Sequence, residues 1–115
     1  MNTGYESRIA ETVTQLRALD PDRVYLFGSL AKGGPAGNGE DIDIAVVLDV
    51  RTEPSTFEQR LELKVAVRNT VFEISKEVPI DLVVYTKREF EKLAAENTPF
   101  IREVLKGDLL YEEAG

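Results

Sequence analysis

Apolar residues recur at Ile9, Val13 and Leu16, with Leu19 close behind, between charged positions, which predicts a helix over residues 5–19. Asp20-Pro21-Asp22 is a turn signal that ends it. Val24-Tyr25-Leu26-Phe27 follows as a short unbroken apolar run, the pattern of a strand buried on both faces, and Gly28-Ser29 stops it abruptly. Residues 33–39, Gly-Gly-Pro-Ala-Gly-Asn-Gly, carry no period and read as a flexible loop. From Asp41 onward acidic and apolar residues alternate, then give way to Ala45-Val46-Val47-Leu48, a strand with a polar head and a buried end.

The second half repeats this alternation of periods. Pro54-Ser55-Thr56-Phe57-Glu58 opens a long helix, with Ser55 and Glu58 fitting a capping box, and the helical spacing continues to about Lys76. Its apolar positions Leu61, Val65 and Phe72, with Leu63, Val67, Val71 and Ile74 alongside, form a wide stripe expected to pack on a sheet. Residues 78–85 read as a third strand, interrupted only by Pro79 and Asp81. Thr86 with Glu89 offers a second capping box before a short helix holding Phe90 and Leu93. Thr98-Pro99 starts a last helix with Ile101, Val104 and Leu105, which Gly107 closes, and Leu109-Leu110-Tyr111 adds a short terminal strand.

Composition then narrows the chemistry. A chain of 115 residues supports one core, so residues 1–115 are expected to form a single domain. There is no cysteine, which removes disulfides, thiolate metal sites and thiol nucleophiles. There is no histidine, which removes the usual zinc sites and Ser-His-Asp catalysis. Any general base is therefore a carboxylate, lysine or tyrosine, and any metal is a hard cation on oxygen ligands. The net charge of −7 argues against nucleic acid and anionic membranes as partners. No apolar run reaches the roughly 20 residues of a membrane span. The first residues lack the pattern of a signal peptide, so a cytoplasmic protein is expected.

Three features sit where a plain core would not place them. Asp41 and Asp43, two apart at the head of a strand, project on one face, and their mutual repulsion favours a divalent cation between them. Asp81 interrupts an apolar strand, where an unpaired carboxylate is costly, and joins the pair if the two strands are neighbours. Three such carboxylates suit one or two Mg²⁺ ions, about 3.5–4 Å apart in two-metal sites. In such a site one ion binds a triphosphate and its leaving pyrophosphate, and the other activates the attacking hydroxyl. Gly28-Ser29, if a helix begins just after them, offers backbone N–H groups and a hydroxyl to phosphate oxygens. Lys32, a turn further on, reaches the same phosphates as a point charge. Singly, each feature has an ordinary structural explanation: a turn, a solvated strand edge, a carboxylate neutralised by a base, an exposed lysine. Their order and spacing together are what point to chemistry.

The segment Leu26-Phe27-Gly28-Ser29-Leu30-Ala31-Lys32-Gly33, followed by Asp41-Ile42-Asp43-Ile44-Ala45-Val46, resembles the Gly-Ser … Asp-x-Asp signature of the DNA polymerase beta-like nucleotidyltransferase superfamily. Ile80-Asp81-Leu82-Val83-Val84 is similar to the strand that carries its third acidic residue. Chain length and the ending from Asn97-Thr98-Pro99-Phe100-Ile101 through Lys106-Gly107 to Leu110-Tyr111 resemble the minimal nucleotidyltransferase branch. The resemblance implies an α+β, two-layer fold: a mixed sheet with helices packed mainly on one face. It implies that Gly28 and Ser29 hold the triphosphate, that Asp41 and Asp43 bind Mg²⁺, and that Asp81 joins the metal site and helps activate the acceptor hydroxyl. Many members of that branch are antitoxins of HEPN-domain toxins, and some transfer AMP from ATP to a tyrosine of the toxin.

Two positions depart from the pattern: Leu30 stands where relatives often have Arg, and Glu40 where they commonly have Ser or Thr. The expected function is transfer of a nucleoside monophosphate, AMP from ATP, to a hydroxyl on a protein partner, with the chain as antitoxin of a HEPN toxin. Two alternatives stand beside it: an antitoxin that only masks its partner, and a transferase for a small molecule completed by a separate substrate-binding subunit. Either a homodimer or a hetero-oligomer is compatible with so short a chain.

Overall fold

The alternation of helical and strand periods closes into a single mixed sheet in the computed structural model, which describes residues 3–33 and 41–114. The strands are β1 (Pro21–Phe27), β2 (Ile42–Leu48), β3 (Ile80–Thr86) and β4 (Asp108–Glu112), lying side by side in the order β3-β2-β1-β4. β1 runs antiparallel to both β2 and β4. β2 and β3 run parallel, so the chain between them must cross over one face of the sheet. Helices α2 (Phe57–Thr70) and α3 (Phe72–Ser75) make that crossover, while α1 (Thr3–Leu16) precedes the sheet and α4 (Lys87–Glu96) and α5 (Pro99–Lys106) follow β3. The fold is α+β with a mixed sheet, as expected, but the helices are not packed mainly on one face: α1, α2 and α3 cover one face and α4 and α5 the other, because β1 and β2 are apolar on both sides.

Strand alternation sorts the core into two layers. Val24, Leu26, Ile42, Ile44 and Val46 face Leu16 of α1 and Val67, Val71 and Ile74 of the crossover, forming the larger layer. Tyr25, Phe27, Ala45 and Val47 point to the opposite face and are covered by Phe90 of α4 and by Ile101 and Val104 of α5. Tyr25 stacks on Phe90 with ring centroids 5.6 Å apart. Because both faces are covered, β1 and β2 read as unbroken apolar runs. Each fully buried Val or Ile there stabilises the fold by about 1.5–3 kcal/mol.

The helix ends follow local side-chain chemistry. Thr86 caps α4 reciprocally: its hydroxyl accepts from the Glu89 N–H at 3.2 Å, and Glu89 Oε1 accepts from the Thr86 N–H at 2.9 Å. Thr98 caps α5, with Pro99 in its first turn. At the other end of α5, Gly107 has an ordinary negative φ of −75°. Its role is proximity: a Cβ there would lie 2.1 Å from the Leu26 carbonyl oxygen, so only glycine lets the chain enter β4 flush against β1.

The long second helix departs from expectation in three ways. Its cap is Thr56, whose hydroxyl accepts from the Gln59 N–H at 3.1 Å; Ser55 instead donates its own N–H to Gln59 Oε1 at 2.8 Å. The helix also breaks at Val71, which leaves helical geometry (φ −108°, ψ 12°) and buries its side chain. Just before the break the Thr70 hydroxyl donates to the Ala66 carbonyl at 2.9 Å, a competing bond that bends helices. Finally, the apolar stripe divides. Val67, Val71 and Ile74 are buried, but Leu61, Val65 and Phe72 are about half exposed and Phe57 is 79% exposed. The sheet is narrow on this side, ending at β3, and cannot cover a stripe so wide.

Candidate active site

β1 ends at Phe27, and Gly28 turns the chain with a positive φ of 76°, a conformation that favours glycine. A second constraint acts at the same position. A Cβ on Gly28 would stand 2.2 Å from Asp43 Oδ2, so the missing side chain is what lets the backbone and the carboxylate share this corner. Residues Gly28–Gly33 then form a tight 3₁₀ turn in which Ala31 is extended (φ −76°, ψ 157°) and Lys32 is left-handed (φ 58°, ψ 33°). The condition on which the sequence reading rested, a helix beginning just after Gly28-Ser29, is met only by this short 3₁₀ turn. The turn still presents closely spaced N–H groups, but without the dipole of a long helix behind them. Ser29 is exposed on this turn. Leu30, where an Arg was the commoner residue, is buried in the larger core layer and anchors the turn.

Lys32 exposes its side chain, and its backbone N–H donates to Asp108 Oδ2 at 2.8 Å. Asp108 opens β4 immediately after Gly107, opposite Leu26 of β1. Asp108 did not stand out in the sequence. The available signal was an acidic residue at the head of an otherwise apolar terminal strand, directly behind a helix-ending glycine.

The parallel ladder of β2 and β3 has no register shift, and it sets Asp43 directly beside Asp81. Neighbouring strands lie about 4.8 Å apart, and partnered side chains leave the sheet on the same face. That face is the one bearing Phe27, the antiparallel partner of Asp43, and the smaller core layer under α4 and α5. Phe27 in turn meets Phe100 of α5 edge-on, with centroids 5.4 Å apart. Asp43 is half-buried, whereas Asp81 is exposed. The expectation that Asp81 is a carboxylate sunk among apolar residues is thus corrected: β3 is an edge strand, and water reaches it. Asp41 is exposed just ahead of β2, two residues before Asp43, where the Ile42 N–H donates to the Pro79 carbonyl at 2.9 Å.

The turn and two of the three carboxylates therefore meet at one corner of the sheet. Among the described residues no three acidic side chains gather into a complete metal cage. The donor set is all oxygen, which suits Mg²⁺, and Asp43 with Asp81 supplies two adjacent carboxylates whose remaining partners would be nucleotide oxygens and water. Glu40 and the glycine-rich stretch 34–39 lie outside the described residues. An apolar groove between α2 and β3, lined by Phe57, Leu61, Leu63, Leu82 and Val84, belongs to the opposite side of the sheet and is a poor host for a triphosphate. Among the described residues no helix is long and apolar enough to cross a membrane.

The family model described as polymerase beta, nucleotidyltransferase matches residues 9–114. Neither the curated proteins nor the solved structures gave a significant match. The chain belongs to the polymerase beta nucleotidyltransferase family.

Proposed function

We propose that this nucleotidyltransferase moves AMP from ATP to a hydroxyl group of a protein partner, as the antitoxin of a HEPN toxin. The observation that carries the transferase reading is the juxtaposition of Asp43 and Asp81 on partnered strands, with Gly28 in contact distance of Asp43. Gly28 and Ser29 bind the triphosphate through backbone N–H groups and a hydroxyl, and Lys32 adds a positive charge. Asp43 and Asp81, with Asp41 just ahead of β2, would hold Mg²⁺, which would offset the phosphate charge and favour ionisation of the acceptor hydroxyl. The acceptor oxygen forms a bond to the α-phosphorus, the bond from that phosphorus to the bridging oxygen breaks, and pyrophosphate departs. Asp81, open to solvent at the sheet edge, accepts the hydroxyl proton and passes it to water.

A protein acceptor is supported by the net charge of −7, which disfavours nucleic acid. The half-exposed stripe Leu61 and Val65, with Phe57 beside it, favours a second reading in which the chain also masks its partner by binding. Labelled ATP with Mg²⁺, incubated with and without the product of the neighbouring gene, separates the readings. Label on the partner that disappears in Asp43→Asn supports transfer. Neutralisation of the partner that survives Asp43→Asn supports masking alone. Pyrophosphate release only on adding a small-molecule acceptor would replace both with a small-molecule transferase.

A further inference from the structure

We infer that Asp108 is a positioning residue for nucleotide binding: through its bond to the Lys32 backbone, it holds the Gly28–Lys32 turn in the shape that receives phosphate. The inference rests on the nucleotidyltransferase reading of that turn and extends it to the other end of the chain. Four observations carry it.

First, the turn contains a residue in an unfavourable backbone conformation. After one 3₁₀ turn the backbone swings to extended geometry at Ala31 and to left-handed geometry at Lys32, which a residue with a side chain resists. Second, Asp108 Oδ2 accepts from the Lys32 N–H at 2.8 Å, a hydrogen bond made at the residue that bears the unfavourable φ. Third, Asp108 is itself held firmly. It pairs with Leu26 in the β1–β4 ladder, and Gly107 behind it lies against the Leu26 carbonyl, so close that no side chain fits between. Fourth, Leu30 is buried on the other side of the same turn. The turn is thus held at Leu30 by apolar burial and at Lys32 by a hydrogen bond, with Gly28 and Ser29 exposed.

The placement also resolves an electrostatic oddity. A carboxylate near a triphosphate repels it, so an acidic residue here is useful only for a bond that outweighs the repulsion. The need is for an acceptor oxygen, and the negative charge is incidental. Asparagine keeps such an oxygen and removes the charge, so Asp108→Asn and Asp108→Ala separate positioning from charge.

The experiment combines two measurements on the full chain: titration calorimetry with MgATP, and hydrogen exchange of the backbone amides of residues 28–33. In Asp108→Ala the turn amides exchange faster and MgATP binds about tenfold more weakly, the scale of one lost hydrogen bond. In Asp108→Asn both quantities return to within about twofold of the unsubstituted protein. Unchanged exchange at the turn in Asp108→Ala overturns the inference, as does faster exchange with unchanged MgATP affinity. Equal losses in Asp108→Ala and Asp108→Asn overturn it in favour of a role for the charge. If the unsubstituted protein binds no MgATP, the nucleotide reading falls and the positioning role with it. The exchange data then still report whether Asp108 orders the turn, so the two failures remain distinct.

Discussion

Asp43 of β2 is partnered on one side by Phe27 of β1 and on the other by Asp81 of β3, so all three side chains leave the same face of the sheet. The aromatic ring is buried in the layer under α4 and α5, while Asp43 is half-buried and Asp81 is exposed. One row of the sheet therefore changes from core to chemistry within three strands. The catalytic expectations follow from that row.

Replacing either carboxylate by its amide keeps the shape and removes an anionic oxygen. Asp43→Asn and Asp81→Asn are expected to lower nucleotidyl transfer at least about a hundredfold, equivalent to about 2.7 kcal/mol of transition-state stabilisation. Neither should alter the far-ultraviolet circular dichroism. Transfer measured by labelled nucleotide that persists at near-normal rate in both variants would remove this row from the mechanism.

The two structural glycines fail for different reasons and by different amounts. Gly107→Ala forces a methyl group against the Leu26 backbone carbonyl, which has no room to yield, and should cost about 2–3 kcal/mol. Gly28→Ala meets the end of the Asp43 side chain, which can rotate away, leaving mainly the positive-φ penalty of about 1–2 kcal/mol. Urea denaturation gives the order of stability. In Gly28→Ala, transfer should fall by more than stability explains, because the displaced carboxylate is Asp43. An inverted stability order would count against the close approach of Gly107 to β1.

On α2 the buried and exposed apolar residues should separate cleanly. Val67→Ala opens a hole in the larger core layer and is expected to cost about 2 kcal/mol. Leu61→Glu and Phe57→Ser should leave thermal stability within about 0.5 kcal/mol and should abolish capture of the partner in a co-purification assay. A large loss of stability in Leu61→Glu, measured on the isolated chain, would mean the stripe is core after all.

Tyr85 gives an alkaline limit. Burial raises its hydroxyl pKa above the ordinary value of 10.0. The folded protein therefore binds that proton more tightly than the unfolded chain does. Its contribution is complete below the unfolded value and is lost as pH rises through the higher folded one. Denaturation curves collected between about pH 9 and 11 should show the protein losing stability faster than Tyr85→Phe. Parallel curves for the two proteins would show that Tyr85 does not set the limit.

Periodicity made most of this fold legible. The runs Val24-Tyr25-Leu26-Phe27 and Ala45-Val46-Val47-Leu48 read as doubly buried strands because helices do cover both faces, and Thr86 with Glu89 formed the capping box their spacing announced. What misled was anything decided by the edges of the sheet. Val71 was consistent with continued helix until the Thr70 hydroxyl and the burial of Val71 bent the chain. Asp81 looked buried because its neighbours are apolar, yet those neighbours flank an edge strand. At the site, Gly28, Ser29, Asp43 and Asp81 were all apparent in the sequence; the adjacency of Asp43 and Asp81 was conditional on which strands pair. Asp108 was passed over: its acidic place at the head of an apolar strand is a faint signal, and a hydrogen bond spanning 76 residues adds no local pattern to it.

That long span has a consequence for the timing of synthesis. A ribosome completes Gly28, Ser29 and Asp43 well before it adds Asp108, and β1 waits between β2 and an empty flank until β4 is made. A nascent chain halted before β4 would lack the bond that Asp108 makes to the Lys32 backbone. The turn at residues 28–33 thus takes its final shape only once β4 is in place, and a product cut between β3 and β4 is expected to leave it loose.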